Sequence, residues 1–182
     1  MSAGVVLLAI TAFMKLRRRT QTTQGDRVMP TRIVRFANLV LAGMLAGNEF
    51  GTWAAVHPSL GKLGPAERIR AEQEVTRRYA AIMPAWMGST VASCVLALLI
   101  SRGSAGFRST LFGTVCFVGV LASTRIGNVP INNRVLEMDP ERDQEEFASL
   151  RERWDMLHTL RVALNVAGLG FLVAGALAEY EQ

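Results

Sequence analysis

Two histidines, His57 and His158, are the only imidazoles in this chain. Each lies among polar residues that rarely enter a long apolar stretch without a task. Glu49, Trp53 and His57 fall at i, i+4 and i+8, along one stripe of a helix. Arg125, Asn128 and Asn132 step by three and by four, and Trp154, His158, Arg161 and Asn165 also step by threes and fours. A carboxylate, imidazoles and guanidinium groups can together accept a proton and cradle the anion that forms. Neutral imidazoles on facing helices can instead ligate haem or a metal ion, with His57 and His158 as the candidate pair.

The elements that must carry these residues are legible in the charge pattern. The 182 residues suffice for one domain, half of them are hydrophobic, and the formal charge is +5. Mean hydropathy is +0.24. Charges crowd into residues 15–35, 62–78 and 134–155, and the runs between them are apolar all round. A soluble helix keeps one wet face, so such runs suit lipid. Four runs, at about residues 33–56, 83–101, 109–129 and 156–178, are long enough to span a bilayer. The expected fold is all-α, a four-helix transmembrane bundle.

Two amphipathic extramembrane helical extensions are expected as well. One occupies residues 65–82, with Pro65 in its first turn. The other precedes the fourth run, with Asp139 as N-cap and Pro140 as first helical residue, making one helix over 140–178. Only SRGSAGFRS joins the second run to the third. Residues 3–14 are apolar but too short to cross, and the KLRRR cluster follows rather than precedes them, unlike a signal peptide. Residues 1–28 therefore read as an extension, with Met29 an alternative start, and residues 29–182 as the membrane domain. Small residues in every span (Gly43, Gly47, Gly88, Gly113, Gly119, Gly168, Gly170, Gly175) favour close helix approach.

Several function classes drop out. The arginines form no basic stripe interleaved with aromatics, so nucleic acid is not an expected partner. Cys94 and Cys116 are isolated within apolar runs and build neither a zinc site nor a disulfide framework. The dense positive charge from Lys15 to Arg35, with Arg102 and Arg108 in the short turn, places both termini on the cytoplasmic side.

Alternation of direction brings the end of the first span, the end of the third and the start of the fourth to one membrane face. Three polar stripes then share a depth and are best satisfied facing one another, as a cup closed below by apolar packing. Ionisable groups at such depth point to function. Bland readings exist for each group: an Arg125–Glu49 ion pair, His57 as an interfacial group before Pro58, His158 as packing, and Trp53, Trp86 and Trp154 as belt residues.

The phrases LAGNEFGTWAAVHPSL, PINNRVL and RWDMLHTLR resemble the anthrone-oxygenase-like membrane family over about residues 33–178. The most specific combination is W-x3-H-x2-R at Trp154, His158 and Arg161 together with Pro130–Asn132. The resemblance implies a four-span architecture and, in members of polyketide pathways, oxidation of an anthrone by dioxygen. On that reading His158 is the base, with Glu49 or His57 as alternatives, and Arg161 and Arg125 hold the oxyanion. Asn128 and Asn132 donate hydrogen bonds, while Trp53, Trp154 and Asn165 complete the substrate site. No cofactor is required. The partners are the bilayer, a hydrophobic small molecule and dioxygen, and a homo-oligomer is compatible with the sequence. Haem or metal binding through His57 and His158, and a non-catalytic binding or accessory subunit, are the competing readings.

Overall fold

The computed structural model describes residues 31–180 of the chain. The expectations for residues 1–28, and most of the basic cluster from Lys15 to Arg27, lie outside the described residues. Four helices follow one another: α1 (Thr31–Leu60), α2 (Pro65–Ile100), α3 (Phe107–Glu137) and α4 (Gln144–Tyr180). All four are long and apolar enough to cross a membrane. No strand occurs among the described residues. The all-α, four-span expectation holds.

Large apolar side chains point outward, including Phe36, Ile126 and Met156 at 71%, 80% and 67% exposure. Lipid removes the penalty that water would impose on them, and association falls to packing and interhelical hydrogen bonds. The tightest pair is α3 with α4, which run antiparallel in constant register. Thr110 meets Gly175, Gly113 meets Leu172, and Gly168 meets Phe117. Farther along, Arg161 bonds Thr124 and Trp154 bonds Asn132. A Cβ at Gly168 would lie 3.0 Å from the Cys116 Cβ, so the close approach depends on glycine there. The same does not hold at Gly43, Gly47, Gly88 and Gly170, where a Cβ would meet nothing within 4 Å.

The helices run longer than the apolar runs that announce them. The expected amphipathic segment 65–82 and the second span are one continuous helix through Pro84. The third span continues past Pro130 to Glu137. The fourth starts later than expected, at Gln144. Asp139 does not cap it, because its carboxylate takes the Glu141 N–H at 2.9 Å in a tight turn. The Asp139 N–H in turn donates to the Asp143 carboxylate. The first helical bond runs from the Phe147 N–H to the Asp143 carbonyl.

Two short π-helical turns interrupt the regular winding, Thr52–Val56 in α1 and Thr124–Asn128 in α3. Each ends two residues before a proline, Pro58 or Pro130. Proline has no N–H for the carbonyl four residues back and crowds it, so the helix widens ahead of the ring.

Apolar clusters lie on both sides of the level of these turns. Ala42, Leu45, Cys94, Phe117, Val120 and Leu172 belong to one. Ile69, Ile131, Val135, Met138, Phe147 and Trp154 form the other. Gln73 braces the second by donating to the Val135 and Met138 carbonyls. At the far end Arg35 pairs with Glu179, and the Ser104 hydroxyl donates to the same carboxylate at 2.5 Å. This ties the start of α1, the α2–α3 turn and the end of α4 together.

Candidate functional site

Between the two apolar clusters lies a cavity of about 540 Å³ whose wall is drawn from all four helices. Its polar side holds six ionisable residues, each less than a tenth exposed: Glu49, His57, Glu72, Arg151, His158 and Arg161. Its apolar side includes Met83, Met87, Leu121 and Val129. The exposed members of the lining are Ala80, Pro84 and Gly88 on α2 and Arg125 and Asn133 on α3. The mouth therefore opens sideways, between α2 and α3, rather than as a cup toward one membrane face.

The first of two charge clusters joins α1 to α4. Arg161 Nη2 donates to Glu49 Oε2 at 2.9 Å and lies 2.7 Å from His158 Nδ1. A guanidinium nitrogen only donates, so His158 Nδ1 accepts, and the neutral ring carries its proton on Nε2. Glu49 Oε2 is 3.2 Å from the same Nδ1, the two acceptors sharing one guanidinium nitrogen. Arg161 Nη1 donates to Thr124 Oγ1 at 3.3 Å, and Asn165 Nδ2 donates to the Arg161 carbonyl. His158 Nε2 and Arg161 Nε, both buried, have no partner among the described residues.

The second cluster joins α1 and α2 to α4. His57 Nδ1 is 3.3 Å from Glu72 Oε1. A carboxylate oxygen accepts, so Nδ1 donates and Nε2 keeps the lone pair. His57 Nε2 is buried, with no partner among the described residues. Glu72 Oε2 pairs with Arg151 Nη1 at 3.0 Å, and Arg151 also forks onto Asp155 Oδ1. The Arg151 guanidinium lies 3.9 Å above the Trp154 ring. Trp154 donates to Asn132 Oδ1 at 2.8 Å and sits 4.6 Å from each imidazole. Tyr79 closes the rim by donating to Asn48 Oδ1, with Thr52 Oγ1 3.1 Å away.

The π turn in α1 decides which residues reach this wall. Eight α-helical residues would leave His57 about 80° from Glu49 at 3.6 residues per turn. One extra residue in the π turn makes them behave like i and i+7, about 20° apart. Both are buried on the cavity, and Thr52 joins them. Trp53, expected on this stripe, is rotated out: it is 43% exposed, bonds Thr159, and does not line the cavity.

Other expected site residues separate in the same way. Glu49, Asn132, Trp154, His158 and Arg161 line the cavity together. Arg125 lines it at the exposed mouth and makes no ion pair with Glu49, whose guanidinium partner is Arg161. Asn128 and Asn165 are fully buried between helices but do not line the cavity. Asn128 ends the second π turn, and Asn165 lies one turn beyond Arg161 on α4. Among the described residues neither Asn128 Nδ2 nor Oδ1 has a partner.

Glu72 and Arg151 were not anticipated, because each sits in a segment dense with solvated charge. The stripe Trp154, His158, Arg161 does continue backward by three to Arg151 and by four more to Phe147, a signal the spacing carried. Glu72 has a weaker signature, sharing a helical face with Ile69 and Thr76.

Among the described residues no group of three or more His, Cys, Asp or Glu is arranged to hold a metal ion. The His57 and His158 ring centroids are 5.5 Å apart, edge to face, with Trp154 against both. Rings in that contact leave no room for a haem plane between them. Cys94 and Cys116 are free thiols.

Residues 73–171 match the family model described as Anthrone oxygenase, which covers more than half of the chain. The chain belongs to the anthrone oxygenase family. No curated protein and no solved structure gives a significant match. In this anthrone oxygenase family member the matched segment holds Tyr79, Arg125, Asn132, Arg151, Trp154, His158 and Arg161. Glu49, His57 and Glu72 precede it, and only folding brings them to the same cavity.

Proposed function

We propose that this protein is a multi-pass membrane oxygenase that oxidises a hydrophobic, anthrone-type phenolic substrate with dioxygen. The observation that carries the reading is a cavity of about 540 Å³, apolar on one side and lined by buried charges and imidazoles on the other, within a chain of this family. That volume suits a small-molecule site. The sideways mouth between α2 and α3 suits a flat, poorly soluble ring arriving from lipid.

The chemistry needs a base and an anion cradle. The anthrone methylene, flanked by two aromatic rings and conjugated to the ketone, loses a proton to an imidazole on the wall. Charge flows onto the ketone oxygen, where Arg161 and the mouth residue Arg125 stabilise it. The resulting carbanion is electron-rich enough to react with dioxygen directly, and no cofactor is required. One methylene and one dioxygen become one carbonyl and one water. The rule that positive loops stay inside puts both termini in the cytoplasm.

The test uses purified protein in nanodiscs supplied with a dihydroxyanthrone. Dioxygen uptake and anthraquinone formation should exceed the protein-free rate by at least about 100-fold, the low end of what positioned general bases supply. Label from isotopic dioxygen should appear in the new carbonyl. Turnover no faster than in empty nanodiscs would remove the oxygenase reading.

A further inference from the structure

The two histidines carry opposite proton arrangements, and this divides the labour between them. We propose that His57 is the general base and that His158 is a neutral N–H donor to the oxygen atoms of the reaction, an assignment resting on the oxygenase reading. Three observations carry it.

The first is the tautomer. His158 Nδ1 receives the Arg161 N–H at 2.7 Å, which leaves Nε2–H as a donor with no partner among the described residues. His57 Nδ1 faces the Glu72 carboxylate at 3.3 Å, which leaves a lone pair on an equally unpartnered Nε2. Both rings line the cavity.

The second is local charge. Glu49 and Arg161 already balance one another, so a proton taken up by His158 would create a second cation 2.7 Å from a guanidinium. Around His57 two carboxylates, Glu72 and the half-exposed Asp155, share the single Arg151 guanidinium. One negative charge remains to balance an imidazolium at His57.

The third is proximity. The two rings are 5.5 Å apart and share Trp154 as a neighbour, so a single substrate edge can reach both.

The steps then balance. His57 Nε2 takes a methylene proton, and the C–H electron pair delocalises onto the ketone oxygen. The carbanion passes one electron to dioxygen, and the radical pair joins to form a C–O bond and a peroxide anion. The His57 imidazolium returns its proton to the terminal oxygen, giving a hydroperoxide. His57 then removes the second methylene proton. That C–H pair becomes the carbonyl π bond as the O–O bond breaks, and the departing hydroxide takes the proton from His57 to leave as water. His158 Nε2–H donates a hydrogen bond to the oxygens throughout and changes no protons.

Because the chain contains only these two histidines, nitrogen-labelled histidine gives two side-chain spectra in the wild-type protein. NMR should show one ring protonated at Nδ1 and the other at Nε2. Assignment by H57Q and H158Q should give His57 the Nδ1–H form. Two rings of the same tautomer, or the reverse assignment, would overturn the proposal. The second readout is exchange of anthrone methylene hydrogen with deuterated solvent without dioxygen, which isolates the first step. H57Q should lower exchange and oxidation together by at least about 100-fold. H158Q, whose amide still donates, should retain exchange within about tenfold, whereas H158L should lose oxidation. Wild-type-like exchange in H57Q, with H158Q inactive, would reverse the roles. If wild-type protein neither exchanges nor oxidises, the oxygenase reading itself has failed, while the tautomer measurement still judges the proton arrangement.

Discussion

Replacing Glu49 and Arg161 singly and together probes the buried charge that organises the cavity. At 2.9 Å, two unit charges attract by about 6 kcal/mol in an effective dielectric near 20. Desolvation offsets much of that attraction in the intact pair, which is why its net worth is small. The singles escape this cancellation. E49Q leaves a guanidinium, and R161Q a carboxylate, buried and unpaired. Each should cost about 3–5 kcal/mol. The double variant puts two neutral amides in the same space and buries no charge, so it should cost no more than either single. The coupling should then be at least the cost of one single, about 3 kcal/mol or more, at or above the upper end for residues in contact. Reversible unfolding in mixed micelles, followed by helix signal, measures all four corners of the cycle. Costs that add to within about 0.5 kcal/mol would refute the reasoning, because independent sites behave that way.

Packing and polar contacts elsewhere give sharper contrasts. G168V should lower stability by about 1–3 kcal/mol through overpacking, since its Cβ would already press on Cys116 and Phe117. G43A meets open space and should be neutral or stabilising by up to about 1 kcal/mol. Melting of the two variants in one detergent checks both, and equal losses would contradict the helix assignments. Q73A removes the side-chain donor to the Met138 carbonyl and one of the two donors to the Val135 carbonyl, and should cost about 1–3 kcal/mol. Amide exchange should then rise across residues 131–143, and unchanged protection there would show that Gln73 does not brace α3.

The sequence announced the membrane architecture through its segregated charge, because lipid-facing helices must be apolar all round. It also revealed the His158–Arg161 stripe, since α4 winds regularly there. Trp53 misled because regular 3.6-residue winding was assumed across a stretch that widens ahead of Pro58. Asn128 misled for the same reason ahead of Pro130. In both cases proline carried the signal, as X-Pro two residues beyond the turn. Glu72 and Arg151 were hidden differently. Charged residues in a helical extension normally face water, and nothing local tells a buried member of such a run from a solvated one. Only the partner helix does that, through His57 for Glu72 and through Glu72 for Arg151. The proposed division of roles between the histidines was also beyond spacing, because a tautomer depends on which atom faces each ring nitrogen.

An experimental structure in nanodiscs, with a non-oxidisable hydroxyanthraquinone soaked at saturation, tests most directly whether this cavity is a reaction site. The rings should lie between α2 and α3 with one carbonyl edge facing both imidazoles, its oxygen within hydrogen-bond reach of His158 Nε2 and the same edge beside His57. A ligand found only on the outer, lipid-facing helix surface, with the cavity holding none of it, would contradict the central claim.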